Sequence, residues 1–244
     1  LLVFATGTSS ENPRAELYSF GTGKRELIGE TRLDSTITSF ESIKYAKTDE
    51  GTSIYADALC ADGSSMVTEF IYWSDYYNSI ISPFYSYSTG RTKETLRSSQ
   101  VTCRDIDDDG YIEIPEDTSS KKQSSEITSQ NWVNYGNTVL SHKCYSFSCK
   151  RDGYILVIDD DDFSKVKANY DSESRKLTII DKKNKSNVFE IVTLINSNYS
   201  VNDPKYKDYT MIMKNSGFVY LAKVNKSSDI DINIQTLKDM IKVY

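Results

Sequence analysis

The sequence predicts a mainly β chain, with short antiparallel sheets repeated through its first half and a small α+β domain after them. Three observations predict it. The aromatic residues are dominated by 18 Tyr and 9 Phe, a composition that suits half-buried strands better than helical bundles. Two segments, WSDYYNSII at 73–81 and WVNYGNTVL at 132–140, carry Trp, Tyr, Asn and a closing aliphatic pair at matching places, and self-similarity of this kind marks a repeat architecture. Beyond about residue 148, strand-like runs alternate with polar turns and end in one apolar stripe at helical spacing.

The elements of the first half follow in order. AELYSFGTGKRELIG at 15–29 reads as strand, glycine turn, strand, a fainter version of the later units. In VTEFIYW, Phe70 and Tyr72 take one face while Ile71 and Trp73 take the other. Both faces are apolar, so this strand is expected to be covered on both sides. An Asp-Gly turn precedes each tryptophan segment, SDYYN and NYGN supply the turns after them, and SII and TVL start the return strands. The polar stretch TSSKKQSSEITSQ at 118–130 has loop composition.

A four-stranded sheet per unit, stacked on its neighbour, is the geometry of a propeller blade. Residues 1–147 then make a propeller-like array of two to three blades, and Trp73 and Trp132 are blade core. A propeller closes with about four to eight blades, so this one is incomplete. That shortfall, with the abrupt LLVFATG start, suggests the C-terminal part of a longer protein. Tyr76, Tyr77, Phe84, Tyr85 and Tyr87 offer a second use, as a sugar-stacking platform.

The second half, 148–244, reads differently. DGYILVIDDDDF is a strand running into an acidic turn, KVKANYDSESRKLTIIDKK is a hairpin, and NVFEIVTLI is a β-branched strand. DPKYKDY suggests one helical turn with Pro204 at its first position. YTMIMKNSGFVYLAKVN is a second hairpin. In IDINIQTLKDMIKVY, the residues Ile230, Ile234, Leu237 and Ile241 form one helical stripe. Strands closed by a helix make a small α+β domain, and the element order resembles that of PsbP/Mog1-like domains.

Bulk properties exclude several functions. A net charge of −6 with no basic stripe argues against nucleic acid. No run reaches the roughly 20 apolar residues of a membrane span. Cys60, Cys103, Cys144 and Cys149 lack CxxC spacing, so zinc is not indicated; disulfides and half-buried free thiols both stay open. His142 is the only histidine, and nothing around it has the context of a nucleophile and base. The sequence carries no phosphate-binding loop or dinucleotide fingerprint.

One motif carries chemistry. In DIDDDGYIEIPE at 105–116, Asp105, Asp107 and Asp109 alternate, Gly110 follows and Glu113 sits ninth. Calcium takes six to eight oxygens, and alternate side chains of a tight loop converge while glycine permits the bend. The match extends to Glu116, but Pro115 and the strand-like YIEIP exclude the exit helix of an EF-hand. The Asp-x-Asp-x-Asp-Gly-x-x-Glu loop between short strands resembles the FG-GAP or VCBS repeat of integrin-like β-propellers. That resemblance implies calcium held by Asp105, Asp107, Asp109, the Tyr111 carbonyl and Glu113. A solvated acidic turn is the plain alternative.

The function expected from this reading is a fragment of an exported bacterial surface protein or lipoprotein, extracellular or on the cell surface. It would be a non-catalytic module that binds a protein or glycan ligand, with one structural calcium ion and a lipid anchor compatible upstream. The rivals are a glycan hydrolase working through carboxylates and a purely architectural domain.

Overall fold

The computed structural model describes residues 1–8, 10–21, 23–48, 50–118, 126–136, 139–200, 203–225 and 230–244. Of the described residues, 54% are strand and 8% helix, which upholds the mainly β expectation. It divides into two compact units, Leu1–Lys122 with Asn131–Lys143, and Gln123–Gln130 with Cys144–Tyr244. Most of the polar stretch predicted as a loop, 119–125, lies outside the described residues.

In the first unit, β1 (Leu2–Ala5), β2 (Arg14–Ser19) and β3 (Glu26–Arg32) form a three-stranded antiparallel sheet. A meander follows, made of β4 (Ile37–Thr48), β5 (Gly51–Cys60), β6 (Met66–Ser74) and β7 (Ser79–Ile81). A two-stranded ribbon joins β8 (Tyr85–Ser86) to β9 (Arg91–Thr92). After it come β10 (Ile114–Asp117), β11 (Thr128–Gly136) and β12 (Val139–Cys149), hydrogen-bonded in that order.

The alternation read in VTEFIYW builds this unit. Val67 and Ile71 face one cluster, with Ala15, Leu33 and Ala58 buried and Leu17 and Phe4 packed against it. Phe70 faces the other, with Tyr55, Ile114, Val133 and Tyr135. The meander is therefore the middle layer, between β1–β3 on one side and β10–β12 on the other. Phe70 is 0% exposed and its ring centroid lies 4.4 Å from that of Tyr135. Complete burial of a side chain of this size contributes roughly 2–3 kcal/mol.

In the second unit, β12 continues into β13 (Tyr154–Ile158), with the register Phe147 opposite Leu156. A one-turn helix, α1 (Asp160–Phe163), takes up the acidic run. An antiparallel sheet then forms from β14 (Val166–Asp171), β15 (Lys176–Asp181), β16 (Asn187–Ile195), β17 (Thr210–Lys214) and β18 (Phe218–Val224), in the order β14-β15-β16-β18-β17. Pro204–Tyr206 is the predicted helical turn, opened by Asp203, whose side chain accepts from the Lys205 amide. The chain closes with α2 (Ile234–Met240) and β19 (Ile241–Val243), the latter paired with β13.

Two expectations are corrected. The first half is not a run of propeller-like repeats. Among the described residues the sheets have three, four, five, five and two strands, and none closes or curls. The paired tryptophan segments are alike in sequence but not in place. Each is a strand leading into a return strand, but they lie at different depths. Trp73 is half-buried at the end of β6, its indole N–H donating to Asp75 in the turn at 3.0 Å, whereas Trp132 is fully buried within β11. Similar residues serve local hairpins here, not equivalent blades.

The second half is not the predicted α+β domain, and no PsbP/Mog1-like identity is supported. The helix spans only Ile234–Met240 because Asn233 caps it, accepting from the Gln235 and Thr236 amides, and because Ile241 and Val243 turn to strand pairing with Leu156 and Tyr154. Ile230, Leu237 and Ile241 still reach the core, so the stripe was real although its backbone is not all helical.

Candidate metal centre

The 105–113 loop is closed at its base by an antiparallel bridge between Arg104 and Glu113, whose amides and carbonyls bond reciprocally at 3.1 and 2.9 Å. Ile106, 0% exposed, anchors the loop from below. Asp108 (φ 64) and Gly110 (φ 91) are left-handed, a conformation that glycine adopts freely and aspartate tolerates better than most residues. With these two residues turning the chain, the odd-numbered aspartates come to one side.

Backbone amides fix the carboxylates. Asp105 accepts from the Asp109 amide at 3.0 Å and from the Gly110 amide at 2.8 Å, and Asp109 accepts from the Tyr111 amide at 2.9 Å. Asp105, Asp107 and Asp109 each present a carboxylate oxygen within 4.8 Å of the other two. Among the described residues, they are the one such group of potential metal-ligating side chains. The surface therefore carries an acidic cluster able to coordinate a metal ion.

Glu113 lies apart from that trio. It is 0% exposed; its Oε2 accepts from the Ile106 amide at 2.9 Å, while its Oε1 has no hydrogen-bond partner. Burial, reinforced by the charges of Asp107, Asp109 and Asp105, pushes the Glu113 carboxyl up to about 7. Tyr111 sits half-exposed at the rim.

Lys143 carries no sequence signal that links it to the loop. Its ammonium lies 2.9 Å from Asp107 and 2.6 Å from Asp109. The lysine is held well above its usual range by those two carboxylates, and Asp109 is held below the carboxylate range, first by Lys143 and then by the Tyr111 amide. Lys143 is on β12, 34 residues from Asp109, so no local motif connects them.

The other candidates disperse. Glu116 belongs to β10 and accepts from Asn131 at 2.9 Å, which fits a strand and not an EF-hand exit helix. His142 is exposed and hydrogen-bonds to Asn131. No disulfide joins the four cysteines; Cys60, Cys103 and Cys149 are buried, and burial pushes the Cys149 thiol up to about 12 and that of Cys103 well above its usual value. The aromatic platform separates: Tyr76, Tyr77 and Tyr87 are exposed, Tyr85 is buried, and Phe84 packs edge-on to Tyr135 at 5.4 Å.

No helix among the described residues is long and apolar enough to cross a membrane. Comparison of the chain with protein-family models, with curated proteins and with solved structures finds no match. Together with the open sheets, that overturns the FG-GAP or VCBS propeller identity. The acidic loop stands on its own geometry.

Proposed function

We propose that the 105–113 loop takes up calcium, and that the chain is a non-catalytic binding module stiffened by that ion. The observation that carries the reading is the convergence of Asp105, Asp107 and Asp109, each with a carboxylate oxygen within 4.8 Å of the other two, near a Glu113 whose buried Oε1 has no hydrogen-bond donor. A buried carboxylate oxygen without a donor is costly, and a divalent cation compensates it. An all-oxygen donor set suits a hard cation. A surface loop with several carboxylates suits calcium better than magnesium, which demands a near-ideal octahedron. Asp105, Asp107, Asp109 and Glu113 would supply carboxylate oxygens and Tyr111 its carbonyl, with the Lys143 side chain swinging out to solvent.

Sites of this kind in extracellular modules bind in the 10⁻⁴–10⁻³ M range, which supports an exported location where calcium is abundant. The pairing of His142 with Asn131 and the buried thiols support packing roles over catalysis. Exposed Tyr76, Tyr77 and Tyr87 are the side chains best suited to contact a protein or glycan partner.

Calorimetric titration of the chain with calcium, beside thermal melts in calcium and in EGTA, tests the ion site. At a hundred times its Kd, calcium stabilises the fold by about 2.7 kcal/mol. No heat and no shift in melting temperature at about 10 mM calcium, well above the range expected for extracellular modules, would end the proposal.

A further inference from the structure

We propose that the free edge of β4 pairs with the same strand of a second copy of this chain, antiparallel about a two-fold axis at Lys44. β4 is the first strand of its sheet, and among the described residues no strand pairs with its other side. On its solvent face, Glu41, Ile43, Tyr45 and Lys47 are all exposed, with Ile43 at 52% and Tyr45 at 77%. Two large apolar side chains in that state on an edge strand are an invitation to pairing.

The hydrogen-bonding phase fits. Thr48 lies opposite Gly51 at the hairpin end of β4 and β5, with Ala46 opposite Ser53 and Lys44 opposite Tyr55. A two-residue connection makes the Thr48–Gly51 pair a hydrogen-bonded one, so the even-numbered residues bond to β5. The amides and carbonyls of Ile43, Tyr45 and Lys47 then point to the free edge. Around an axis at Lys44, Ile43 meets Tyr45 of the second copy in a hydrogen-bonded pair, and Lys47 reaches the exposed Glu41 of the second copy at the bulge, just past the regular ladder.

On the exposed face, the cross-strand contacts are thus apolar on apolar and acid on base, and each of these occurs twice, as an isologous interface requires. Lys44 itself falls on the axis, but its ammonium is turned inward to the Cys103 carbonyl. The bulge between Phe40 and Ser42 ends the regular ladder, so the interface is short and the dimer reversible.

Sedimentation velocity on the whole chain, from about 1 μM to about 1 mM to span the affinities of small interfaces, tests this. A concentration-dependent dimer is expected. E41K and K47E should each weaken it by roughly ten-fold, and the E41K/K47E double variant should restore it. Y45P removes an amide that points to the free edge and leaves the β5 ladder whole, so it should abolish the dimer. If Y45P fails to fold, the charge-swap series decides alone. A monomer throughout the range, or a dimer whose strength is the same in all the charge variants, overturns the proposal.

Discussion

Lys143 Nζ lies 2.6 Å from Asp109 Oδ2 and 2.9 Å from Asp107 Oδ2, so the chain supplies its own cation where the aspartates converge. An ammonium there competes with a divalent ion for the same oxygens. Replacing Lys143 by Met should raise calcium affinity roughly ten-fold, since one opposing charge near the ion is worth about 1–2 kcal/mol at the surface. The pair is about one-third exposed, so its loss in EGTA should cost under about 1 kcal/mol. Calorimetric titration of K143M checks both; an unchanged Kd would mean that lysine and ion do not share the site.

Glu113→Gln separates an ion ligand from a structural group. The amide oxygen of Gln can still accept from Ile106, as Glu113 Oε2 does at 2.9 Å, while the buried charge is gone. In EGTA at pH 8 the variant should melt no lower than the parent, because an uncompensated buried carboxylate has been removed. In calcium it should melt lower, with affinity reduced at least about ten-fold. Equal losses in both buffers would make Glu113 a packing residue only.

Without divalent ions, stability should fall as pH rises from about 4.5 to about 7. Burial pushes both Glu69 and Glu113 up to about 7 from the ordinary glutamate value of 4.5. Across that window the folded chain holds protons that the unfolded chain has released, so each group favours folding at the acid end and loses that contribution as pH passes its folded pKa. Each raised carboxyl accounts for on the order of 3 kcal/mol across the window. Asp34 and Asp109 are shifted downward; their contribution is lost below the ordinary aspartate range, outside this window. Urea melts in EGTA at pH 5 and pH 8 test the sign, and stability rising across the interval would refute it.

Local chemistry was legible in the sequence where one segment decides its own conformation. The two apolar faces of Phe70 and Ile71 announced a doubly covered strand, and the capped turn at Pro204 was readable from its neighbours. The acidic loop was legible too, because its spacing and Gly110 shape it from within. What depends on partners distant in sequence was not. Trp73 and Trp132 look alike in their own segments but are half-buried and fully buried, since depth is set by the sheet that covers each. Ile241 fits a helical stripe equally well, and only the open edge of β13 makes it a strand. Lys143 meets Asp109 through the placement of β12, which no motif records.

The buried pair Asp57–Arg97 is likewise joined across the fold without a local motif, and it supports the segment that leads into the loop. Both side chains are fully buried, with Arg97 Nη2 2.8 Å from Asp57 Oδ1. Arg97 also donates to the Val101 carbonyl at 2.9 Å and the Thr95 carbonyl at 3.1 Å, and Asp57 Oδ2 accepts from the Cys103 amide at 2.9 Å. The pair thereby holds the backbone just before Arg104, where the loop is bridged to Glu113. Removing one partner leaves the other as an uncompensated buried charge, so Arg97→Met should destabilise the chain by about 3–5 kcal/mol. Removing both, as D57L/R97M, should recover part of that loss, because desolvation of the pair disappears with it. Urea denaturation of the two variants tests the coupling, and calcium titration at low temperature should show weaker binding by R97M. If R97M unfolds within about 1 kcal/mol of the parent, the ion pair is not what fixes this segment.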